Sequence, residues 1–199
     1  KSYDKIECRE KLGLNEDKTI ILFHGVYHYY PNREGISRIK NYIAPNIYER
    51  YKNVLFVIAG NGAPQYEEGN MKSLGFVDDL NELLVASDIA VVPILHGGGT
   101  RVKILDYMGS GLPIVTTKKG IEGILAKNGE HAIIVDGVNE EFINAISYLI
   151  DNEEERKRIG ANARRLAEEE YDWDKIGVKL DKLYRRILEE KGHVNKSQC

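Results

Sequence analysis

The stretch Pro93-Ile94-Leu95-His96-Gly97-Gly98-Gly99-Thr100-Arg101-Val102-Lys103-Ile104-Leu105-Asp106-Tyr107-Met108-Gly109-Ser110-Gly111-Leu112-Pro113-Ile114-Val115 decides the fold. The apolar run from Ile89 to Ile94 reads as a buried strand. Three glycines follow, then a helical pattern from Thr100 to Ser110, then Gly111-Leu112-Pro113 and a second apolar run. Glycines at a strand-to-helix junction let a ligand approach the backbone. The free N–H groups of the helix's first turn and the helix dipole then favour an anion. A phosphate is the natural guest, and Arg101 and Lys103 in the first turn add positive charge.

Working outward, the same grammar recurs. Thr19 to Phe23, Val54 to Ala59, Met71 to Val77, Pro113 to Thr116 and Ala132 to Val135 read as further strands. Between them lie helical patterns: Ser2 to Leu12; one carrying Ile36, Ile39 and Ile43, with Asn32 as N-cap, a break at Pro45 and a restart to Tyr51; Asp79 to Ala86; and a short turn of helix near Gly123. Apolar runs without alternation mean strands covered on both faces. The expected architecture is a doubly wound, Rossmann-like, mostly parallel sheet of about six strands with C-terminal helices. Ligands in such sheets bind beyond the carboxyl ends of the strands, so Gly25, Gly60-Asn61-Gly62, Gly75 and Gly97-Gly98-Gly99 are expected on that rim. From Asn139 onward the chain is helical, and the segment from Asp172 to Glu190 carries Trp173, Ile176, Leu180, Leu183, Tyr184 and Ile187 on one broad face. That face needs a cover, expected to come partly from this domain's own sheet. Residues 1–191 read as one domain and 192–199 as a disordered tail.

Composition excludes several classes. The 199 residues are 42% hydrophobic and 30% charged, with a net charge of −3. There is no global draw toward nucleic acid or membrane, so any anion site is local. The two cysteines, Cys8 and Cys199, suggest no disulfide framework or metal site, and a reducing cytoplasmic setting is expected. The longest apolar runs fall short of the ~20 residues of a membrane span. The chain begins within a charged segment and without Met, and is read as a fragment of a longer protein. His24, His28 and His96 could converge on the rim, but no carboxylate or cysteine shares their spacing, and no metal is expected. Bland alternatives stand beside the functional ones: a flexible turn for the glycines, a solvated surface Arg101, and an i,i+3 ion pair between Lys103 and Asp106. In the functional reading Asp106 accepts hydrogen bonds from a ribose diol.

Taken in order, Phe23-His24-Gly25, Pro31-Asn32, Ile58-Ala59-Gly60-Asn61-Gly62, Gly75-Phe76-Val77-Asp78-Asp79, Ala86-Ser87-Asp88, the segment from Gly97 to Val115, and Thr116-Thr117 with Gly120, Glu122 and Gly123 resemble the C-terminal donor-binding domain of family 4 glycosyltransferases. The resemblance runs from about Thr19 to Leu149. It implies the two-domain GT-B fold, a nucleotide-diphosphate sugar as donor, transfer with retention of configuration, and no required cofactor or metal. It also implies an acceptor-binding N-terminal domain outside this chain, without which the fragment is inactive. The location it implies is cytoplasmic, with peripheral association of the full-length enzyme at the inner face of the membrane as an alternative. By position, Asp106 takes the place of the second Glu of the family's E-x7-E motif, and Gly98 stands where the first would be. Gly98, Gly99 and Thr100 would offer N–H groups to the diphosphate. The backbone at Val77 would meet the base, with Phe76 and Asn61 nearby. The donor-binding set implied is Gly25, Asn61, Phe76, Val77, Gly97, Gly98, Gly99, Thr100, Arg101, Lys103 and Asp106, with no catalytic residue assigned in this chain. The Arg and Lys that many members carry after the first strand appear here as Val26 and about Asn32, and Arg101 and Lys103 supply the missing charge. Rivals are a nucleotide-sugar epimerase of the same fold and a non-catalytic nucleotide-binding α/β domain. A dinucleotide-binding oxidoreductase fits less well, because Gly25-Val26-Tyr27-His28-Tyr29 after the first strand lacks the Gly-x-Gly-x-x-Gly turn.

Overall fold

The computed structural model describes residues 3–99 and 101–196, with side chains as far as Glu190. The apolar runs become strands β1 (Thr19–His24), β2 (Val54–Ala59), β4 (Met71–Gly75), β5 (Ile89–Val92), β6 (Ile114–Thr117) and β7 (Ile133–Val135), all parallel. A seventh strand, β3 (Tyr66–Glu68), pairs antiparallel with β4, so the sheet has seven strands rather than the six expected. β3 is three mostly exposed residues turned back at Gly69, and no buried face marks it in the sequence. The order is β3-β4-β2-β1-β5-β6-β7. Chain progression reverses between β1 and β5, and the crevice beyond the ends of those strands is where open α/β sheets bind ligands.

Helices α1 (Lys5–Lys11), α2 (Tyr30–Arg38), α3 (Ala44–Arg50), α4 (Leu80–Ala86), α5 (Val102–Ser110), α6 (Glu140–Asp151), α7 (Glu153–Glu170) and α8 (Trp173–Lys196) follow in chain order. Ile20 to Phe23 and Val54 to Ala59 are all buried, which is why their runs do not alternate. Several local expectations are corrected. Pro45 does not break its helix: residues Ile39–Ile43 form a π turn whose wider winding joins α2 to α3, with the Ala44 N–H bonding the Ile39 carbonyl. Asn32 is no N-cap. Tyr29 holds that place, Pro31 occupies the first turn, and Asn32 is buried inside α2. The segment near Gly123 is a series of turns, and β4 stops at Gly75.

Helix α5 is fixed through its last turn. Gly111 ends it in the left-handed conformation (φ 76°), and its carbonyl backs against Gly160 of α7, where an added Cβ would lie 2.0 Å from that oxygen. Tyr107, fully buried, accepts the His24 backbone N–H at 2.8 Å and so ties α5 to the end of β1. Helix α8 departs from expectation. It packs against α7 and is not covered by the sheet; Trp173 is 84% exposed, and Leu180, Leu183, Tyr184 and Ile187 are exposed as well. Its backbone continues to Lys196, through part of the segment expected to be a disordered tail; residues 197–199 lie outside the described residues. Among the described residues no helix is long and apolar enough to cross a membrane.

Candidate functional site

At the carboxyl ends of β1 and β5 the surface opens into a cleft of about 380 Å³, lined among others by His24, Gly25, Asn32, Lys103 and Asp106. His24, Gly25 and Val26 also line an adjoining recess of about 240 Å³, which holds Asn61, Phe76 and Val77. The two hollows therefore share one wall, made by the exit of β1. Gly25 and Gly60 make this junction possible. Both have φ of 152°, and a Cβ on Gly60 would lie 1.9 Å from the Gly25 carbonyl oxygen. Only bare backbone fits there.

The helix begins two residues later than the sequence suggested. Arg101 is the cap residue, Val102 begins α5, the Arg101 side chain makes no capping hydrogen bond and no acid sits in the first turn. Such an end offers unpaired N–H groups and the positive pole of the helix. Thr100 lies outside the described residues. Gly97 and Gly99 take positive φ (108° and 86°), and Gly97 packs so closely on Pro31 and Tyr29 that a Cβ would fall 2.7 Å from the proline ring. The Tyr29 hydroxyl donates to the Gly98 carbonyl at 3.1 Å.

Arg101 is no solvated side chain. It is 9% exposed, and its guanidinium donates to the carbonyls of Gly97 (3.3 Å) and Gly98 (3.4 Å) and to Glu122 Oε2 (3.4 Å). Its Nε is buried without a partner among the described residues. Glu122 also accepts from Lys119 at 2.6 Å, and that contact, then the Lys119 charge, hold its carboxyl below the usual range. Lys103 and Asp106 do not form the i,i+3 pair. The Lys103 ammonium donates to Asn32 Oδ1 at 2.6 Å and lies 4.1 Å from the centre of the Phe23 ring. Burial first, and Arg101 second, push its pKa down to about 7. Burial raises the Asp106 carboxyl, against the pull of Lys103. His24 Nε2 is 3.5 Å from Asp106 Oδ2, and the ring stands edge-on to Tyr107 at 4.8 Å. Burial, then Lys103, lower the His24 pKa to about 3, so the imidazole is neutral.

The structure thus brings Gly25, Gly98, Arg101, Lys103 and Asp106 to the cleft, and Gly25, Asn61, Phe76 and Val77 to the recess. Gly97 and Gly99 shape the loop. Phe76 is 65% exposed, an aromatic face open beside the recess. His24, Asn32, Tyr29, Ile94 and Gly120 belong to the cleft as well. Of these, His24, Asn32, Ile94 and Gly120 sit inside the motifs quoted above, and Tyr29 does not; none of the five was assigned to the donor-binding set. His28 and His96 do not join His24 in lining the cleft, and among the described residues no cluster of His, Cys, Asp and Glu could hold a metal ion. Chemically, the arrangement can hold an anion at the α5 N-terminus and a polyol at Asp106, with a flat group against Phe76.

The sequence profile of one family, described as Glycosyl transferases group 1, matches residues 18–152. The chain belongs to this family. An uncharacterised glycosyltransferase of Methanocaldococcus jannaschii is 28% identical over 202 residues, covering 95% of this chain and 50% of that protein. HepE of Anabaena, solved in complex with UDP, superposes with a TM-score of 0.76 at 18% identity, covering 94% of this chain and 54% of that one. The C-terminal domain of a group 1 glycosyl transferase of Francisella tularensis (LpcC) superposes with a TM-score of 0.70 at 16% identity, covering 86% of this chain and 95% of that domain. The fold is therefore that of the Rossmann-like C-terminal domain of group 1, GT-B glycosyltransferases. The chain spans about half the length of the curated relatives that it matches across most of its own length.

Proposed function

We propose that this chain is the donor half of a retaining glycosyltransferase, binding a nucleotide-diphosphate sugar for transfer to an acceptor held by a second, N-terminal domain. One observation carries the reading: a helix N-terminus with no acid in its first turn, a buried lysine and a carboxylate meet in one cleft that runs into a recess with an open aromatic face. In this reading the base lies in the recess on Phe76 and against the backbone of Val77, beside Asn61. Asp106 accepts from the ribose diol. The diphosphate meets the N–H groups of Gly98, Gly99 and Thr100 and the Lys103 ammonium. Arg101 shapes the glycine loop through the Gly97 and Gly98 carbonyls. HepE, of the same fold, is solved with UDP and with UDP-glucose, which supports a nucleotide sugar as ligand.

The chemistry assigned to this chain is charge stabilisation. When the glycosyl–phosphate bond breaks, negative charge grows on the departing diphosphate, and fixed N–H dipoles with Lys103 stabilise it there. No side chain of this chain is assigned as nucleophile or base, and no metal is required. The exposed face of α8, with Tyr29 and Tyr30 at the rim, is the surface we assign to the second domain. Titration calorimetry of the 199-residue chain with UDP, GDP, dTDP and ADP, with and without Mg²⁺, tests the reading. Saturation by one of them without Mg²⁺ is expected; millimolar concentrations of all four leaving the chain unsaturated would overturn it.

A further inference from the structure

We propose that Asn32 is the positioning residue of the site: its side-chain amide, anchored on the Val26 carbonyl, holds the Lys103 ammonium at the diphosphate end of the cleft. The inference rests on the nucleotide-binding reading above.

Asn32 is 4% exposed and sits in the first turns of α2, just after Pro31. Its Nδ2 donates to the Val26 carbonyl at 2.8 Å, and its Oδ1 accepts from Lys103 Nζ at 2.6 Å. A carbonyl only accepts and an ammonium only donates, so these two neighbours fix which way the amide points. The pair rests on bare backbone. A Cβ on Gly25 would lie 2.7 Å from Asn32 Nδ2 and 2.8 Å from Lys103 Nζ. The Phe23 ring flanks the ammonium. Lys103 is therefore seated between a ring and an amide, where cleft and recess share the β1 exit.

The neutrality of this partner matters. A carboxylate in place of Asn32 would neutralise the ammonium and repel an incoming phosphate. An amide orients the cation and leaves its charge unspent. The other charged and titratable groups around Lys103 are Arg101 at the α5 N-cap, Asp106 on α5 and His24 on β1, with Glu122 behind Arg101. Arg101 is already engaged by two carbonyls and Glu122. Among the described residues Asn32 is the hydrogen-bond partner of Lys103. Burial lowers the Lys103 pKa to about 7, so a bound diphosphate, which favours the ammonium, draws a proton onto it near neutrality.

The test is a double-mutant cycle read by calorimetry with UDP, and with uridine as the phosphate-free control; GDP with guanosine, dTDP with thymidine or ADP with adenosine replaces them where that nucleotide is the one that binds. Wild type, Asn32→Ala, Lys103→Ala and the double variant are compared at pH 6.5 and 8.5. We expect Asn32→Ala to weaken UDP about 10-fold, the order of one charge-assisted hydrogen bond, and to leave uridine unchanged. The double variant should bind no worse than Lys103→Ala alone, and proton uptake on UDP binding should change in Asn32→Ala. Additive losses, an equal loss for uridine, or UDP binding like wild type would each overturn the positioning role. Asn32→Asp keeps the volume if Asn32→Ala fails to fold; it should also weaken UDP, and wild-type affinity in it would overturn the role. A wild type that binds none of the four nucleotides removes the nucleotide reading itself, and this inference with it.

Discussion

Lys103→Met should make this protein more stable and less able to bind a diphosphate. The side chain is buried, its hydrogen-bond partner is a neutral amide, and its pKa lies near 7 against an ordinary 10.5. At about 1.4 kcal/mol per pKa unit, holding it charged in the fold costs about 5 kcal/mol. Methionine keeps the volume and removes that cost, but strands Asn32 Oδ1, at about 1–3 kcal/mol. The net expectation is a gain of about 2–4 kcal/mol at pH 6, where Lys103 is protonated both folded and unfolded. The pH dependence follows from the direction of the shift. Between about pH 7 and 10.5 the unfolded chain carries the proton and the folded one does not, so wild-type stability rises with pH through that window. By pH 9 the wild type has recovered about 3 kcal/mol, and the advantage of the variant should be nearly gone. Urea unfolding of both proteins at pH 6 and 9 measures this. A variant less stable than wild type at pH 6, or a gap that does not change with pH, would refute the reasoning.

Gly60→Ala should unfold easily, losing more than ~3 kcal/mol, because its Cβ would meet the Gly25 carbonyl at 1.9 Å; an unchanged melting temperature would show that the junction gives way. Asp106→Ala should weaken UDP about 10-fold but 2′-deoxy-UDP much less, as expected for a carboxylate serving a diol; equal losses measured by calorimetry would remove the ribose role. Arg101→Ala should weaken UDP about 10- to 100-fold and spare uridine, since in the proposed mode the loop it gathers would meet only the diphosphate; unchanged UDP affinity would mean that the loop needs no such tie.

What the sequence made legible was what a single segment can state. β5, the glycine loop, α5 and β6 announce themselves because strands covered on both faces are uniformly apolar and because Gly97 and Gly99 take positive φ. β3 did not, because three exposed residues at an edge have neither pattern nor burial. Pro45 looked like a break because one-dimensional spacing cannot show that a π turn absorbs it. Asn32 looked like a cap because an Asn before an apolar helix usually is one; Tyr29 and Pro31 start the helix earlier and turn Asn32 inward. By helical spacing Lys103 and Asp106 share one side of α5, away from the buried Ile104 and Met108. That this side faces α2 and the end of β1, rather than water, depends on tertiary packing across more than seventy positions of chain.

The same packing explains how a chain of net charge −3 could build the anion site proposed above. A site made by surface charge would need many exposed lysines and would weaken steeply with salt. Here one cation is buried beside a helix N-terminus, with its partner neutral and the neighbouring arginine already tied to the glycine loop. Burial raises the energy of the empty state, because the ammonium has lost its water and gained no counter-charge from Asn32. The diphosphate of the proposed donor would supply that counter-charge. The strain is held in place because α5 cannot relax away: Tyr107 pins it to the His24 backbone, and Gly111 locks it against Gly160. Stability given up at Lys103 and rigidity gained in the last turn of α5 are therefore parts of one arrangement, which would preorganise the proposed positive site before its ligand arrives.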